Sequence, residues 1–233
     1  MKKLIFTFLM FLTLSVNAQN FEVVKFLGIP VDGLKNEMIS KLEKKGFKRN
    51  PNSDNLEGEF NGDNVRVSVI TYKEKVGRIM VAYNYTNETD IKIAFNKLVN
   101  QFEKSQKYSR AVPGNQYLDD NINILYEIIV NKKRIEASFC QHYTEDDMIE
   151  LKNRINDNYE VYKTNADKYL EKLDLFMNYD GNKLENVNKI ANTYNMAYMN
   201  NNSVWFMIHN DRNEYCILLY YDNLNNMPDG EDL

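Results

Sequence analysis

Four side chains in this sequence are soft metal ligands, and they fall into two pairs. Cys140 and His142 are two residues apart, so they would leave the same face of a strand. His209 and Cys216 would share a face across a hairpin that closes between them. Two cysteines and two histidines can hold zinc tetrahedrally. Because the Cys-x-His…His…Cys spacing matches no common zinc framework, we predict no metal or cofactor and keep these four residues as the zinc candidate.

The two cysteines also raise the alternative of a disulfide bond. Cys140 and Cys216 both fall in predicted strands, and an exported protein meets an oxidising compartment. Hydrophobic residues make up 43% of the chain, which is enough for a packed core without this bond. We therefore expect two buried thiols.

A carboxylate pair is the main candidate for acid–base chemistry. Glu57 and Glu59 flank Gly58 in a predicted strand, so both side chains leave one face. Carboxylates about 5–9 Å apart can hydrolyse glycosidic bonds. Neighbouring acidic residues on a strand more often form a solvated face, and the sequence contains no G-x-S-x-G, H-E-x-x-H or P-loop motif. Glu57 and Glu59 are the catalytic candidates of an alternative hypothesis, a periplasmic hydrolase acting on glycan or peptide.

Aromatic side chains are abundant, with 16 Tyr, 12 Phe and 1 Trp. Most of them fit the apolar stripes of predicted helices and strands, where they would pack in a core. Trp and Tyr are also enriched at the energetic centres of binding surfaces. The predicted binding residues are Tyr126, Trp205, Tyr215, Tyr220 and Tyr221.

The elements that would position these residues follow from hydrophobic periodicity, which predicts three successive units of a helix followed by antiparallel strands. The predicted helices cover 33–45, 88–106, 144–177 and 183–194. The predicted strands cover 56–60, 65–70, 77–85, 122–130, 134–143, 203–209 and 215–221.

Turn and capping residues set the predicted boundaries. Asn61-Gly62 is a strong hairpin signal, and Asp32 is predicted to cap the first helix. Thr144, with Asp147 three residues later, resembles a capping box. Residues 108–120 are predicted to form a loop, and the long helix is expected to break, if anywhere, near 156–158.

This layout predicts an α+β fold with an antiparallel β-sheet of about seven or eight strands. The sheet would be built from helix-plus-hairpin units, with the helices mainly on one face. Residues 19–143 would form a first region, and residues 144–233 a long helical segment plus a C-terminal hairpin that continues the same sheet.

The N-terminus is typical of a secretory signal peptide. Lys2 and Lys3 precede an apolar run over 4–14, and the small residues Val16 and Ala18 suit cleavage after Ala18. No cysteine follows the run, so a lipoprotein is not expected. We predict a periplasmic or secreted protein without a transmembrane anchor in the mature chain. The net charge of −4 argues against nucleic acid as a partner.

Several stretches together resemble a family of uncharacterised exported proteins from Bacteroidetes-type bacteria. The similar stretches are 26–33 (FLGIPVDG), 56–62 (LEGEFNG), 204–208 (VWFMI), 220–223 (YYDN) and 230–233 (GEDL). The helical stretch between 144 and 199 lies outside the resemblance. Since this family has no known activity, the resemblance implies export and no catalytic roles.

The helix–hairpin layout behind Gly28-Ile29-Pro30-Val31-Asp32-Gly33 is also similar to modules of the β-lactamase-inhibitor-protein-like type. That resemblance implies binding to other proteins, although a fold does not fix a function. Our leading hypothesis is a non-enzymatic exported module that binds a protein or a cell-envelope component through a sheet face.

Cleavage after Ala18 is directly testable. Protein purified from the exported fraction will begin at Gln19, because small residues occupy the two positions that the peptidase reads. N-terminal sequencing and intact mass will identify this end. An intact Met1 on the exported protein would contradict the prediction.

Overall fold

The structure, a computed structural model, describes residues 22–85, 87–211 and 214–228. Its strands are β1 (Lys25–Phe26), β2 (Ile29–Pro30), β3 (Lys48–Arg49), β4 (Leu56–Phe60), β5 (Asp63–Tyr72), β6 (Lys75–Tyr85), β7 (Tyr108–Arg110), β8 (Glu136–Gln141), β9 (Asn202–Asp211) and β10 (Glu214–Asn223). Eight of them form a central antiparallel sheet with the strand order β3-β4-β5-β6-β10-β9-β8-β7. The short strands β1 and β2 pair separately.

Six helices accompany this sheet in the described part of the chain. They are α1 (Lys35–Lys44), α2 (Glu88–Lys104), α3 (Ile124–Ile129), α4 (Glu145–Asp157), α5 (Tyr159–Glu171) and α6 (Lys183–Asn201), with a 3₁₀ turn at Leu224–Asn226. α1 packs against β5 and β6, and α2 packs against β6, β7 and β10. The predicted α+β class, the antiparallel sheet and the gathering of helices mainly on one face are confirmed.

A row of apolar side chains crosses the inner face of the sheet. Val67, Val81, Leu219, Phe206 and Ala137 are aligned partners on five neighbouring strands, and all are buried. Each large apolar side chain buried in this way contributes about 1.5–3 kcal/mol. The helices cover this face, so it forms the main core.

A second core lies among α4, α5 and α6. Ile155, Ala166 and Ile190 are fully buried there, and Tyr143 joins this core from the end of β8. The capping box predicted at Thr144 is present, since the Thr144 side chain accepts from the Asp147 N–H and Asp147 accepts from the Thr144 N–H. The long predicted helix is two helices, with the break at Asn158.

The hairpin predicted at Asn61-Gly62 is confirmed. Both residues have positive φ, 55° and 82°, as a tight two-residue turn between right-handed twisted strands requires. Phe60 pairs with Asp63 directly beside the turn, so the register follows from this local signal.

The strand predicted at 122–130 is wrong, because this stretch forms α3. The Asn123 side chain caps the helix by accepting from the Tyr126 N–H. The Glu88 carboxylate accepts from the Ile124 N–H, so contact with α2 stabilises the start of α3. A short apolar run fits a helix or a strand equally well, and these caps decide between them.

The loop predicted at 108–120 is wrong at its start, where Tyr108–Arg110 forms β7. This strand pairs with β8, which pairs with β9 on its other side. The hairpin predicted from 122–130 and 134–143 is therefore replaced by a pairing of β8 with distant segments.

Three predicted helix boundaries are wrong. The helical segment predicted over 144–177 ends at Glu171, because residues 172–174 form a turn and 175–180 are irregular. Asp32 does not cap α1; its carboxylate accepts from the Gly33 N–H and from the Asn226 side chain, and Leu34 occupies the cap position without a side-chain bond. The last helix extends beyond residue 194 to Asn201, because Ala197 and Tyr198 continue its buried stripe.

None of the described helices is long and apolar enough to cross a membrane. The predicted signal peptide lies outside the described residues.

Glu88 ties α2 to α3 and provides a test of this arrangement. Its carboxylate accepts from the Ile124 N–H at 3.1 Å, from the Lys92 ammonium at 3.1 Å and from the Tyr215 hydroxyl at 3.4 Å. Burial alone would raise the pKa of Glu88, but the contacts with Ile124 and Lys92 outweigh it and hold the pKa below its usual value.

Replacing Glu88 by glutamine will lower the free energy of unfolding at neutral pH by about 0.5–1.5 kcal/mol. The lowered pKa stabilises the fold fully above the unfolded-state value of about 4.3, and this contribution disappears as the pH falls through the folded-state pKa. Urea unfolding at neutral and acidic pH will measure the difference. A gap between wild type and variant that widens in acid would contradict the assignment.

Candidate functional site

The outer face of the sheet, away from the main core, carries an aromatic pair. Trp205 on β9 and Tyr220 on β10 are aligned partners, and their rings stack with centroids 4.3 Å apart and planes 25° apart. The Arg78 guanidinium lies 4.7 Å from the Tyr220 ring centre and 5.6 Å from the Trp205 ring centre. The Arg134 guanidinium lies 5.3 Å from the Trp205 ring centre. Cations over aromatic faces at these distances attract the rings electrostatically.

One buried carboxylate fixes this arrangement. Asp222 accepts from the Trp205 indole N–H at 2.8 Å and from the Arg78 guanidinium at 2.5 and 2.8 Å. The Asp222 side chain is 5% exposed, and its hydrogen bonds raise the pKa of Arg78 above the usual value despite burial. We call Arg78, Arg134, Trp205, Tyr220 and Asp222 the outer-face cluster.

Flexible apolar side chains border the outer-face cluster. Met80 is the aligned partner of Tyr220 on β6, and Met207 and Leu218 are aligned with each other on β9 and β10. All three are partly exposed, whereas the inward-facing residues of the same strands are buried. Aromatic residues, Met and Arg are enriched at the centres of protein interfaces. This composition suits a binding surface.

The other predicted binding residues lie elsewhere. Tyr221 and Tyr215 face inward and are 4% and 8% exposed, because side chains alternate along a strand. Tyr126 is exposed on α3 and does not lie on the sheet. The structure therefore brings together two of the five, Trp205 and Tyr220; Tyr220 is itself only 8% exposed, so the partly exposed Trp205 is the member of the stack that faces solvent.

The zinc candidate residues are separated. Cys140 is aligned with Ser203 near the start of β9, and Cys216 is aligned with His209 six residues further along. That spacing corresponds to about 20 Å. No group of three or more His, Cys, Asp or Glu side chains suited to a metal ion occurs among the residues that the structure describes. Neither cysteine forms a disulfide bond, and both are partly exposed rather than buried as expected, because they lie on the outer face of the sheet.

Glu57 and Glu59 lie side by side on an exposed part of the sheet. Both side chains leave β4 on the outer face, since Leu56 and Phe60 point inward. Glu57 accepts from the Asn50 side-chain amide at 2.6 Å and is aligned with Arg66 on β5. These contacts are those of a solvated strand face.

A cleft that sequence analysis did not predict opens on the helical side of the sheet. It has a volume of about 720 Å³, within the range of small-molecule sites. The β1–β2 turn at Leu27, the β4–β5 turn at Phe60 and the end of α2 at Phe102 and Ser105 border it. Tyr108, Tyr198 and Tyr221 also line it, and we call it the tyrosine cleft.

Gln141 organises the floor of the tyrosine cleft. Its carbonyl oxygen accepts from the Lys25 N–H at 2.8 Å and from the Tyr198 hydroxyl at 2.6 Å. Its amide nitrogen donates to the Lys25 carbonyl and to the Tyr108 hydroxyl, both at 3.1 Å. The Gln141 amide is thus fully paired, as a side chain only 5% exposed requires. The sequence did contain one signal for Gln141: it follows Ala137 and Phe139 at a spacing of two residues, so its side chain leaves the same buried face of β8.

Comparison with known proteins gives no relative: no protein-family model, no curated protein and no solved structure matches this chain.

The outer-face cluster depends on Asp222, and this dependence is measurable. Replacing Asp222 by alanine will lower the free energy of unfolding by roughly 2–4 kcal/mol, because the Arg78 guanidinium and the Trp205 N–H both lose their acceptor. Urea unfolding followed by Trp205 fluorescence will report the loss.

Glu136→Ala is the matched control, because Glu136 pairs at 2.7 Å with the exposed Arg134. An exposed ion pair contributes at most about 1 kcal/mol. Equal small losses in the two variants would show that Asp222 does not anchor the cluster.

Proposed function

We propose that this protein is an exported, non-enzymatic binding module that docks a protein partner through the outer-face cluster. The observation that carries the proposal is the Trp205–Tyr220 stack held between two arginines and fixed by Asp222. Trp, Tyr and Arg are the residues most enriched at energetic centres of protein interfaces. A prearranged cluster loses little side-chain entropy on binding.

Charge favours a partner surface that carries a carboxylate. The Arg134 side chain is 60% exposed, so its guanidinium remains available beside the Trp205 ring although Glu136 pairs with it. A partner carboxylate can take a bidentate contact from such an arginine, while apolar partner groups pack on Met207 and Leu218. Export rests on the charged and apolar N-terminal sequence and on the small residues before Gln19.

The alternative of a hydrolase using Glu57 and Glu59 has no comparable support. Both carboxylates are exposed, and their neighbours are the strand partners Arg66 and Asn64. Neither lines the tyrosine cleft. A retaining or inverting hydrolase needs a binding groove around its carboxylate pair. We therefore do not propose this activity.

Site-specific photo-crosslinking tests the docking surface. A crosslinker at Met207, beside the cluster, will join the protein to a partner in envelope extracts of the source cells. The same crosslinker at Leu184, an exposed apolar position on α6, provides the matched control and will not. Mass spectrometry of the joined peptides will identify the partner surface.

Arg134→Ala will reduce the Met207 crosslink by at least about tenfold, because a desolvated charged contact contributes about 1.5–3 kcal/mol. Arg49→Ala, which removes an exposed arginine paired with Glu43, will leave it unchanged. The proposal fails if the crosslinked product is the same for Met207 and Leu184, or if Arg134→Ala has no effect.

A further inference from the structure

The tyrosine cleft is separate from the outer-face cluster, and its chemistry points to a ligand of a different class. We propose that the tyrosine cleft binds a neutral sugar ring. Tyr108 and Ser105 provide hydrogen-bond donors, Asp147 and His142 provide acceptors, and Phe60 and Leu27 provide an apolar surface between them. The two sites lie on opposite sides of the sheet, since Tyr221 in the cleft is adjacent in sequence to Tyr220 in the cluster.

The hydrogen bonds of the floor leave the Tyr108 proton unused. Tyr221 is buried and pairs with Tyr108, and both its burial and this hydrogen bond raise the pKa of Tyr221, so the Tyr221 hydroxyl keeps its proton and donates it to Tyr108. Tyr108 also accepts from the Gln141 amide. A hydroxyl has two acceptor lone pairs and one proton. Both lone pairs of Tyr108 are therefore occupied, and its proton is left to donate toward the cleft.

Neighbouring groups add donors on the same side. The Ser105 hydroxyl accepts from the Lys107 N–H at 3.3 Å, which leaves the hydroxyl proton to donate. The Lys107 side chain is exposed and lines the same rim. Burial raises the pKa of Tyr108, so its hydroxyl keeps its proton at neutral pH.

Acceptors lie on the other side of the cleft. One oxygen of Asp147 takes both hydrogen bonds from Thr144, from its N–H at 2.9 Å and its hydroxyl at 2.6 Å, so the other oxygen is left to accept. Burial raises the pKa of Asp147, but the Thr144 bonds and the charges of Lys25 and Lys107 lower it more, so the carboxylate stays ionised. His142 Nδ1 lies 3.0 Å from the Tyr143 carbonyl and donates to it, which leaves Nε2 as an acceptor in the neutral ring.

A ligand with a single charge, or with no polar groups, conflicts with part of this arrangement. A carboxylate would be repelled by Asp147, and an ammonium would be repelled by Lys25 and Lys107. A purely apolar molecule would desolvate Tyr108 and Asp147 without replacing their hydrogen bonds. A sugar ring carries hydroxyls that both donate and accept around a body with apolar C–H faces. It therefore matches the donors on one side of the cleft, the acceptors on the other side and the apolar surface between them.

NMR titration of the full chain without its leader tests this proposal, using the methyl glycosides of glucose, galactose, mannose and N-acetylglucosamine as probes. At least one will give saturable shifts of the Ser105, Lys107 and Gln141 amides at millimolar concentration. The indole N–H of Trp205, the one tryptophan in the sequence, reports on the outer face and will not shift.

Charged analogues and variants complete the test. Glucuronic acid, which is negatively charged, and glucosamine, which is positively charged, will bind more weakly than the neutral methyl glycosides. Lys107→Met and Tyr108→Phe will weaken binding by about tenfold, whereas Lys104→Met, an exposed lysine one turn away on α2, will not. Tyr108→Phe also removes the acceptor for the Tyr221 hydroxyl, so the unfolding free energy of this variant is measured alongside its affinity. If Tyr108→Phe is destabilised, the affinities of Lys107→Met and Lys104→Met are compared instead, because both lysines are exposed.

Three outcomes would overturn the proposal: no cleft shift with any of the four methyl glycosides, tighter binding of a charged analogue, or shifts confined to the Trp205 indole. The trisaccharides of the sugar that binds distinguish two sources, since tighter binding of the trisaccharide indicates a glycan chain and equal or weaker binding indicates a free sugar. Either result supports the cleft assignment and leaves the protein-docking proposal untouched, because that proposal is tested on the opposite face.

Discussion

The register between β9 and β10 is the constraint on which the rest of the structure depends. It aligns Phe206 with Leu219 on the inner face and Trp205 with Tyr220 on the outer face. Because side chains alternate with a period of two, a slip of one residue would exchange the two faces of either strand. Exposing the inner row of apolar side chains to water would cost free energy, and this cost stabilises the register. The register in turn brings the Trp205 and Tyr220 rings to stacking distance. Hydrophobic burial on one side thus positions a polar and aromatic arrangement on the other.

Local signals in the sequence predicted the elements whose structure is decided locally. The Asn61-Gly62 turn and the alternating valines of β5 are examples, because a two-residue turn and a half-buried strand carry their own patterns. The apolar stretch that forms α3 fits a helix or a strand. The local cap at Asn123 was not recognised, and the start of the helix also depends on Glu88, which is 36 positions from Ile124. Residues 108–110 likewise form a strand because they pair with the edge of β8 that β9 leaves free.

The candidate sites divide in the same way. Trp205 and Tyr220 were predicted because their residue types suit binding, but type alone did not separate Tyr220 from Tyr221, which faces the core. The tyrosine cleft was not predicted, since the partners of Gln141 are distant in sequence: Tyr108 by 33 positions, Tyr198 by 57 and Lys25 by 116. A buried glutamine becomes informative only when these partners are known, because its own position in a strand predicts only that it needs them.

The two outermost strands of the sheet are very short, two residues in β3 and three in β7. Each presents few unpaired backbone groups, and arginines at positions 49 and 110 place charge beside them. Growth of the sheet by adding strands from other molecules therefore has almost no template to start from.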